Sequence, residues 1–338
     1  MIARNKPELK EKTKVLLLVP YFGHATVKGL LTDIDRSQSS IFTYLFNENP
    51  EEEVNPRSLG VPATEYVSQY QEAKSSFRIS PEKERSYLRD LLGIVRAEEI
   101  DVIIPTKEKL VSLLARNKDC FKKKLLLPSL NIVRLLQSKA NTYDFFQRKG
   151  IQTPQFSRVN PQDHLKLRRI LGKKGPQFVK PDSDSGGKGA YLIKSVEDYI
   201  ERYDNFKGKL ISSEVLNLPE YNHTFIVRAG SIQVQATYQC PGSTQLGTSP
   251  REIFYDPKIS ELAEKIHQIL KSKYGSKATE GVYNADFLTD SNENYVLSEI
   301  NVGRLPGGHS IFKGKGLNLS DALIKNTLDN QQSILSAA

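Results

Sequence analysis

Residues 280–308, EGVYNADFLTDSNENYVLSEINVGRLPGG, constrain the fold more than any other stretch. Two runs, 282–288 and 294–300, alternate apolar and polar residues around the turn-rich tract Thr289-Asp290-Ser291-Asn292-Glu293. Successive strand side chains point to opposite faces, so this period-two pattern predicts an antiparallel hairpin. Three hard oxygen donors sit on it: Asp286 on the first strand, Glu299 and Asn301 at the end of the second. Two residues apart, Glu299 and Asn301 project to the same side. Carboxylates that converge on a strand end without an evident Lys partner are costly unless a cation neutralises them. Oxygen-only donors suit Mg²⁺ shared with phosphate groups. Arg304 follows in a Gly/Pro-rich loop as a candidate phosphate clamp.

At 338 residues the chain suggests two or three domains. Its 38% hydrophobic and 26% charged residues are those of a soluble globular protein, and no apolar run approaches the roughly 18–20 residues of a membrane span. The polar N-terminus MIARNKPELKEKTK has no signal-peptide pattern. Cys120 and Cys240 lie outside any CxxC spacing, which fits a reducing, cytoplasmic setting. The net charge of +9 is concentrated: residues 115–188 carry 17 Lys/Arg against five acids, the rest of the chain 31 against 34. Solvated helix faces such as Lys122-Lys123-Lys124 account for much of this excess, and what remains brackets one polyanion site. With no zinc pattern, aromatic-interleaved basic repeat or RNA-binding signature, neither nucleic acid nor membrane is expected as a partner.

Along the chain, Lys14–Val19 (KVLLLV), Ile41–Phe46 and Asp101–Pro105 read as short buried strands. Helix-like segments at Pro81–Glu99 and up to about Arg116 alternate with them, which predicts a small parallel α/β domain with ligand loops at its strand ends. A new unit begins near residue 130. Ser138–Lys149 is a helix closed by Gly150, Gln177–Lys180 and Ala190–Ile193 are partner strands, and Val196–Tyr203 is a helix. Leu210–Leu216 is a strand, His223–Val227 and Ser231–Tyr238 form a hairpin about Ala229-Gly230, and Pro257–Tyr274 and Leu319–Leu328 are helices.

The loop 182–189 holds three glycines, two serines and Lys188. Glycines allow backbone to approach phosphate closely, so the loop reads either as a flap over a nucleotide or as an ordinary hairpin turn. Lys180 ends the strand QFVK, facing a phosphate or water. Lys139 opens a helix, the wrong end for the helix dipole, which favours a phosphate partner for it. Glu214 precedes a linker, where its carboxylate would accept from an adenine amino group while the backbone of Val215 and Leu216 reads the ring edge; Glu220 would accept from ribose hydroxyls. Both also read as exposed surface acids.

Taken in order, Lys139, Lys180-Pro181, the Ser/Gly-rich flap 183–189, Glu214-Val215-Leu216, Glu220, Asp286 and Glu299-Ile300-Asn301 resemble the ATP-grasp superfamily. The likeness is strongest to its carbamoyl-phosphate-synthase-like and D-alanine–D-alanine-ligase-like carboxylate–amine ligases. It implies an α/β and α+β architecture, in which a Rossmann-like pre-ATP-grasp domain (1–130) precedes a two-lobed ATP-grasp domain. The two lobes are a lid subdomain (131–213) and a C-terminal subdomain with the metal site (214–338). By matched position, Lys139 and Lys180 would hold the α/β-phosphates of ATP, and Ser185, Gly186, Gly187, Lys188 and Gly189 would cover the β/γ-phosphates. Asp286, Glu299 and Asn301 would hold one or two Mg²⁺ ions, or Mn²⁺. Arg304 would stabilise an acyl phosphate, with Arg228 and Arg251 as carboxylate anchors. The implied activity is amide or peptide bond formation between a small carboxylate and an amine, with release of ADP and phosphate.

Two departures from the family pattern stand out. Arg304 lies three residues after Asn301, where many members place Arg two after, and the first metal ligand is Asp286 rather than Glu. His223, His309 and the segment Tyr21-Phe22-Gly23-His24 are further places where substrate contact is open. Competing readings are an ATP-dependent carboxylase acting through carboxyphosphate, a non-catalytic nucleotide-binding scaffold, and a basic nucleic-acid binder. A homodimer is common among similar proteins.

Overall fold

The computed structural model describes residues 12–19, 25–35, 38–45, 84–183, 189–242 and 250–335. The apolar run Thr13–Val19 (β1) lies between Ser39–Leu45 (β2) and Val102–Pro105 (β3) in a parallel three-stranded sheet of order β2-β1-β3. A strand covered on both faces can be apolar throughout, as β1 is from Val15 onward. Val15 and Leu17 pack with Leu30 and Ile34, while Leu16 and Leu18 face Tyr87, Leu91 and Val95. The covering helices include Ala25–Asp33 (α1), Glu84–Ala97 (α2) and Glu108–Arg116 (α3).

Leu130–Gln137 (α4) and Lys139–Gln147 (α5) lead into an antiparallel sheet of Phe156–Val159 (β4), Gln177–Pro181 (β5), Tyr191–Ile193 (β6) and Leu210–Ser213 (β7), ordered β4-β7-β5-β6. His164–Lys174 (α6) and Val196–Tyr203 (α7) bury Leu167, Tyr199 and Tyr203 on it. β4 and α6 escape the sequence reading because their apolar periodicity is weak; of the eleven residues of α6 only Leu167 is buried. The strand expected to run to Leu216 stops at Ser213, and 214–216 is the linker to the next sheet.

That sheet is antiparallel and five-stranded: Asn217–Arg228 (β8), Ser231–Cys240 (β9), Glu252–Phe254 (β10), Gly281–Thr289 (β11) and Tyr295–Val302 (β12), ordered β10-β9-β8-β11-β12. Ala229 and Gly230, at φ 51° and 75°, make the two-residue turn between β8 and β9, the left-handed pair that suits the twist of a tight hairpin. Pro257–Tyr274 (α8), capped by Asp256, covers one face and buries Ile259, Ala263, Ile266 and Leu270. The chain continues through a 3-10 helix, His309–Lys315, to Leu319–Leu335 (α9), longer than the sequence suggested. Leu305, Phe312, Leu319, Leu323 and Ile324 share a core with Val15, Leu17 and Leu30. The end of the chain thus packs on the first, parallel sheet.

Candidate functional site

The register of the five-stranded sheet assembles the site. Asp286 pairs with Glu299 on one side and with Asn222 on the other, and Asn222 pairs with Tyr238. Directly opposed residues share a face, so these four form one row across four strands. A second row runs Asn301, Asn284, Thr224. A third holds Glu220 opposite Cys240. The face opposite α8 is therefore polar at its centre, although the sheet is otherwise a core element.

Hydrogen bonds fix these side chains. The Asn222 amide donates to Asp286 Oδ1, and Asn301 Nδ2 donates to Asp286 Oδ2 at 3.4 Å. Arg304 donates to Asn301 Oδ1 at 3.0 Å, and the Arg304 carbonyl accepts from Asn284 Nδ2 at 2.6 Å. Thr224 holds Asn284 from behind at 2.9 Å. Burial pushes the Asp286 carboxyl well above its ordinary range, and the nearby charges of Glu220 and Glu299 push it further; Asn222 and Arg304 oppose them. A partly buried acid flanked by two others suits a cation.

The four-stranded sheet and α5 supply the opposite wall. Lys139, the first residue of α5, reaches Glu299 at 3.4 Å with only 6% of its side chain exposed. Lys180 on β5 sets its ammonium 5.8 Å from the Tyr143 ring and 5.9 Å from that of Phe178. Burial lowers the Lys180 pKa, against the attraction of Glu299, Glu220 and Asp286. The Tyr143 hydroxyl donates to the Ser298 carbonyl, tying α5 to β12 beside Glu299.

Arg251 joins the same region. Its guanidinium lies 5.9 Å from the centre of the Tyr238 ring. A Cβ on Gly308 would lie 2.5 Å from Arg251 Cδ and 2.8 Å from Tyr238 Cζ, so only glycine lets the 303–308 loop pass over them.

Other sequence candidates fall elsewhere. Arg228 lies at the far end of β8, six residues beyond Asn222 and so about 20 Å away along a strand. There it pairs with Glu280 at 2.6 Å, which removes it from the site. The Glu214 carboxylate accepts from the Gln155 N–H at 2.8 Å, a bond that fixes the linker. Val215 is half exposed and Leu216 partly buried in that linker. His223 is fully buried on the other face of β8, between Thr237 at 2.7 Å and Gln235 at 3.2 Å. His309 is buried against Gly29 of α1, bonds the Pro306 carbonyl at 2.6 Å, and lies 3.6 Å from Asp33. Burial drops both histidines to about 4, so both are neutral imidazoles at pH 7. Gly189, at φ 68°, packs on Pro181. Ser185, Gly186, Gly187 and Lys188, like Tyr21 to His24, lie outside the described residues.

Asn222, Tyr238, Asn284 and Tyr143 were not singled out by sequence. The alternation Glu220, Asn222, Thr224 is a readable polar stripe, but only the pairing of β8 with β11 gives it meaning. Among the described residues no three His, Cys, Asp or Glu side chains form a metal cluster. The donor set is two carboxylates and an amide, which suits a hard cation that completes its shell from water and phosphate.

This mixed α/β fold, with two antiparallel sheets and a small parallel one, is shared by several solved structures. The structure of carboxyaminoimidazole ribonucleotide synthase from Aspergillus clavatus, complexed with ATP, superposes with a TM-score of 0.67 at 16% identity, over 94% of this chain and 77% of that one. The L-amino acid ligase from Bacillus licheniformis gives 0.63 at 12% identity, over 95% and 75%. The D-alanine-D-alanine ligase from Coxiella burnetii gives 0.63 at 13% identity, over 97% of both chains. No protein-family model and no curated protein matches the sequence.

Proposed function

We propose that this protein is an ATP-dependent carboxylate–amine ligase that forms an amide or peptide bond through an acyl phosphate. The observation that carries the reading is the convergence of Asp286, Glu299 and Asn301 from one sheet with Lys139 from α5 and Lys180 from the other sheet. We read residues 1–130 as a Rossmann-like pre-ATP-grasp domain, 131–213 as the lid and 214–338 as the metal-bearing lobe.

In this reading Asp286, Glu299 and Asn301 hold Mg²⁺. The fit is argued by the partly buried Asp286, whose carboxyl is raised by burial and by Glu220 and Glu299, and which a divalent ion would relieve. Bound Mg²⁺ supplies neutralisation of phosphate charge, the main requirement of phosphoryl transfer. The protein's own groups position the rest. Lys139 and Lys180 bind the phosphates of ATP as point charges. In this reading Glu220 would accept from the ribose hydroxyls, and the backbone of Val215 and Leu216 would read the adenine edge. The substrate carboxylate attacks the γ-phosphorus and ADP leaves. The amine then adds to the acyl carbon, and as its proton is lost the leaving oxygen departs as inorganic phosphate. Arg304, steadied by Asn301, faces the charge that builds on the acyl phosphate. Arg251, stacked on Tyr238, orients the anionic end of a substrate.

The test is a hydroxylamine trap. The protein is incubated with MgATP, hydroxylamine and a panel of amino acids, dipeptides, small organic acids and bicarbonate. Acid-dependent hydroxamate formation with stoichiometric ADP supports the reading. ADP release with bicarbonate alone would move it to carboxyphosphate chemistry. MgATP binding with no turnover on any acid would leave a nucleotide-binding scaffold.

A further inference from the structure

Lys139 occupies an unfavourable end of its helix. As the first residue of α5 it sits where unpaired N–H groups and the macrodipole present positive charge to its own ammonium. Burial of that ammonium adds to the cost.

The compensation comes from the neighbouring sheet. Asp182 stands two residues beyond Lys180, just past the end of β5, and is buried. One carboxylate oxygen accepts from the Ala140 N–H at 2.8 Å, and the other from the Ser138 hydroxyl at 2.8 Å. Its carbonyl accepts from the Lys139 N–H at 3.0 Å, and its own N–H donates to the Lys209 carbonyl at 2.9 Å. The Ser138 side chain separately accepts from the Asn141 N–H at 3.2 Å, and the Ser138 carbonyl accepts from the Thr142 N–H at 2.9 Å. Each N–H of the first turn of α5 thus has a partner, and Asp182 supplies two of them. Helix capping alone would not require an anion here, since Ser138 already fills the usual N-cap role.

We infer that Asp182 is a positioning residue for Lys139. It brings a full negative charge to the helix start that carries Lys139, which offsets the dipole. It also locks that start to the end of β5, which fixes where the Lys139 side chain leaves the helix. The inference rests on the reading of Lys139 as a nucleotide ligand, and the experiment separates the two.

Calorimetric titration with MgADP is carried out on full-length wild type, Asp182→Ala, Lys139→Ala and the double variant. Loss of the charge and cap is expected to weaken binding by about tenfold in Asp182→Ala. Because Asp182 acts through Lys139, the double variant binds no more weakly than Lys139→Ala. If the two losses multiply instead, Asp182 is only a structural cap and the inference falls. If Lys139→Ala binds MgADP like wild type, the nucleotide role of Lys139 falls first, and the inference with it. Asp182→Asn keeps an acceptor for the Ala140 N–H while removing the charge, and carries the same cycle if Asp182→Ala does not fold. Wild-type MgADP affinity in Asp182→Asn refutes the electrostatic half of the inference.

Discussion

At the scale of single residues, Asp286 carries the largest electrostatic conflict. It is held by two amides, pressed by Glu220 and Glu299, and its carboxyl is raised by burial before any other cause. Such a group destabilises the metal-free fold and is retained for what it binds. Asp286→Asn is therefore expected to leave metal-free stability unchanged or higher in urea denaturation while abolishing stabilisation by MgADP. A loss of more than about 2 kcal/mol without metal would mean that the carboxylate is a structural group. His223 gives a second prediction. Burial lowers its pKa from 6.5 to about 4, so within that window the unfolded chain binds a proton that the folded chain does not. Stability is then present above the window and falls on acidification, by about 1.4 kcal/mol per pH unit for this one group. The unfolding free energy of His223→Gln should fall less steeply between pH 6.5 and 5 than that of wild type. Parallel slopes would place the acid sensitivity elsewhere.

At the scale of elements, α5 is the part that joins the two antiparallel sheets at the site. Ala140 and Tyr143 pack with Ile211 of β7, and the Tyr143 hydroxyl bonds the Ser298 carbonyl of β12. Tyr143→Phe keeps the packing and leaves a buried carbonyl unpaired, which should cost about 1–3 kcal/mol in denaturant unfolding. An unchanged midpoint would show that the bond contributes nothing. The β11–β12 hairpin was legible because its alternation is long and its turn is marked by Asp and Asn. The short β4 and β10 carry too few residues for a period to declare itself, and β10 becomes a strand only by pairing with Tyr238 and its neighbours on β9.

At the scale of the molecule, the parallel sheet and the C-terminal segment share one core, while Phe225, Tyr283 and Ile300 of the five-stranded sheet join a second with Tyr87 and Leu91. Both cores cross the expected boundary at residue 130, so the parallel sheet and the five-stranded sheet support each other. Among the described residues no helix is long and apolar enough to cross a membrane. A ligand bound between the sheets stabilises this arrangement by mass action. MgADP at 100 times its Kd is expected to add about 2.7 kcal/mol to the unfolding free energy, and Glu299→Ala to lose that increment. A rise that is the same without Mg²⁺ would count against the oxygen donors as a metal site.

The sequence by itself determined the buried strand at 14–19, the hairpin that carries Asp286, Glu299 and Asn301, and the order of lysines and acids along the chain. These are legible because strand alternation, turn chemistry and spacing are local properties. Which of the two guessed arginines reaches the site was not. Arg228 and Arg251 look alike in sequence, and the difference is made by strand register, which sends one to Glu280 and sets the other against Tyr238. The same holds for Asn222, which meets Asp286 across 64 residues of chain, and for Asp182, which meets Ala140 across 42. Contacts at such separations are decided by how the sheets pack, because no local preference of the backbone encodes which distant side chain a buried polar group will find.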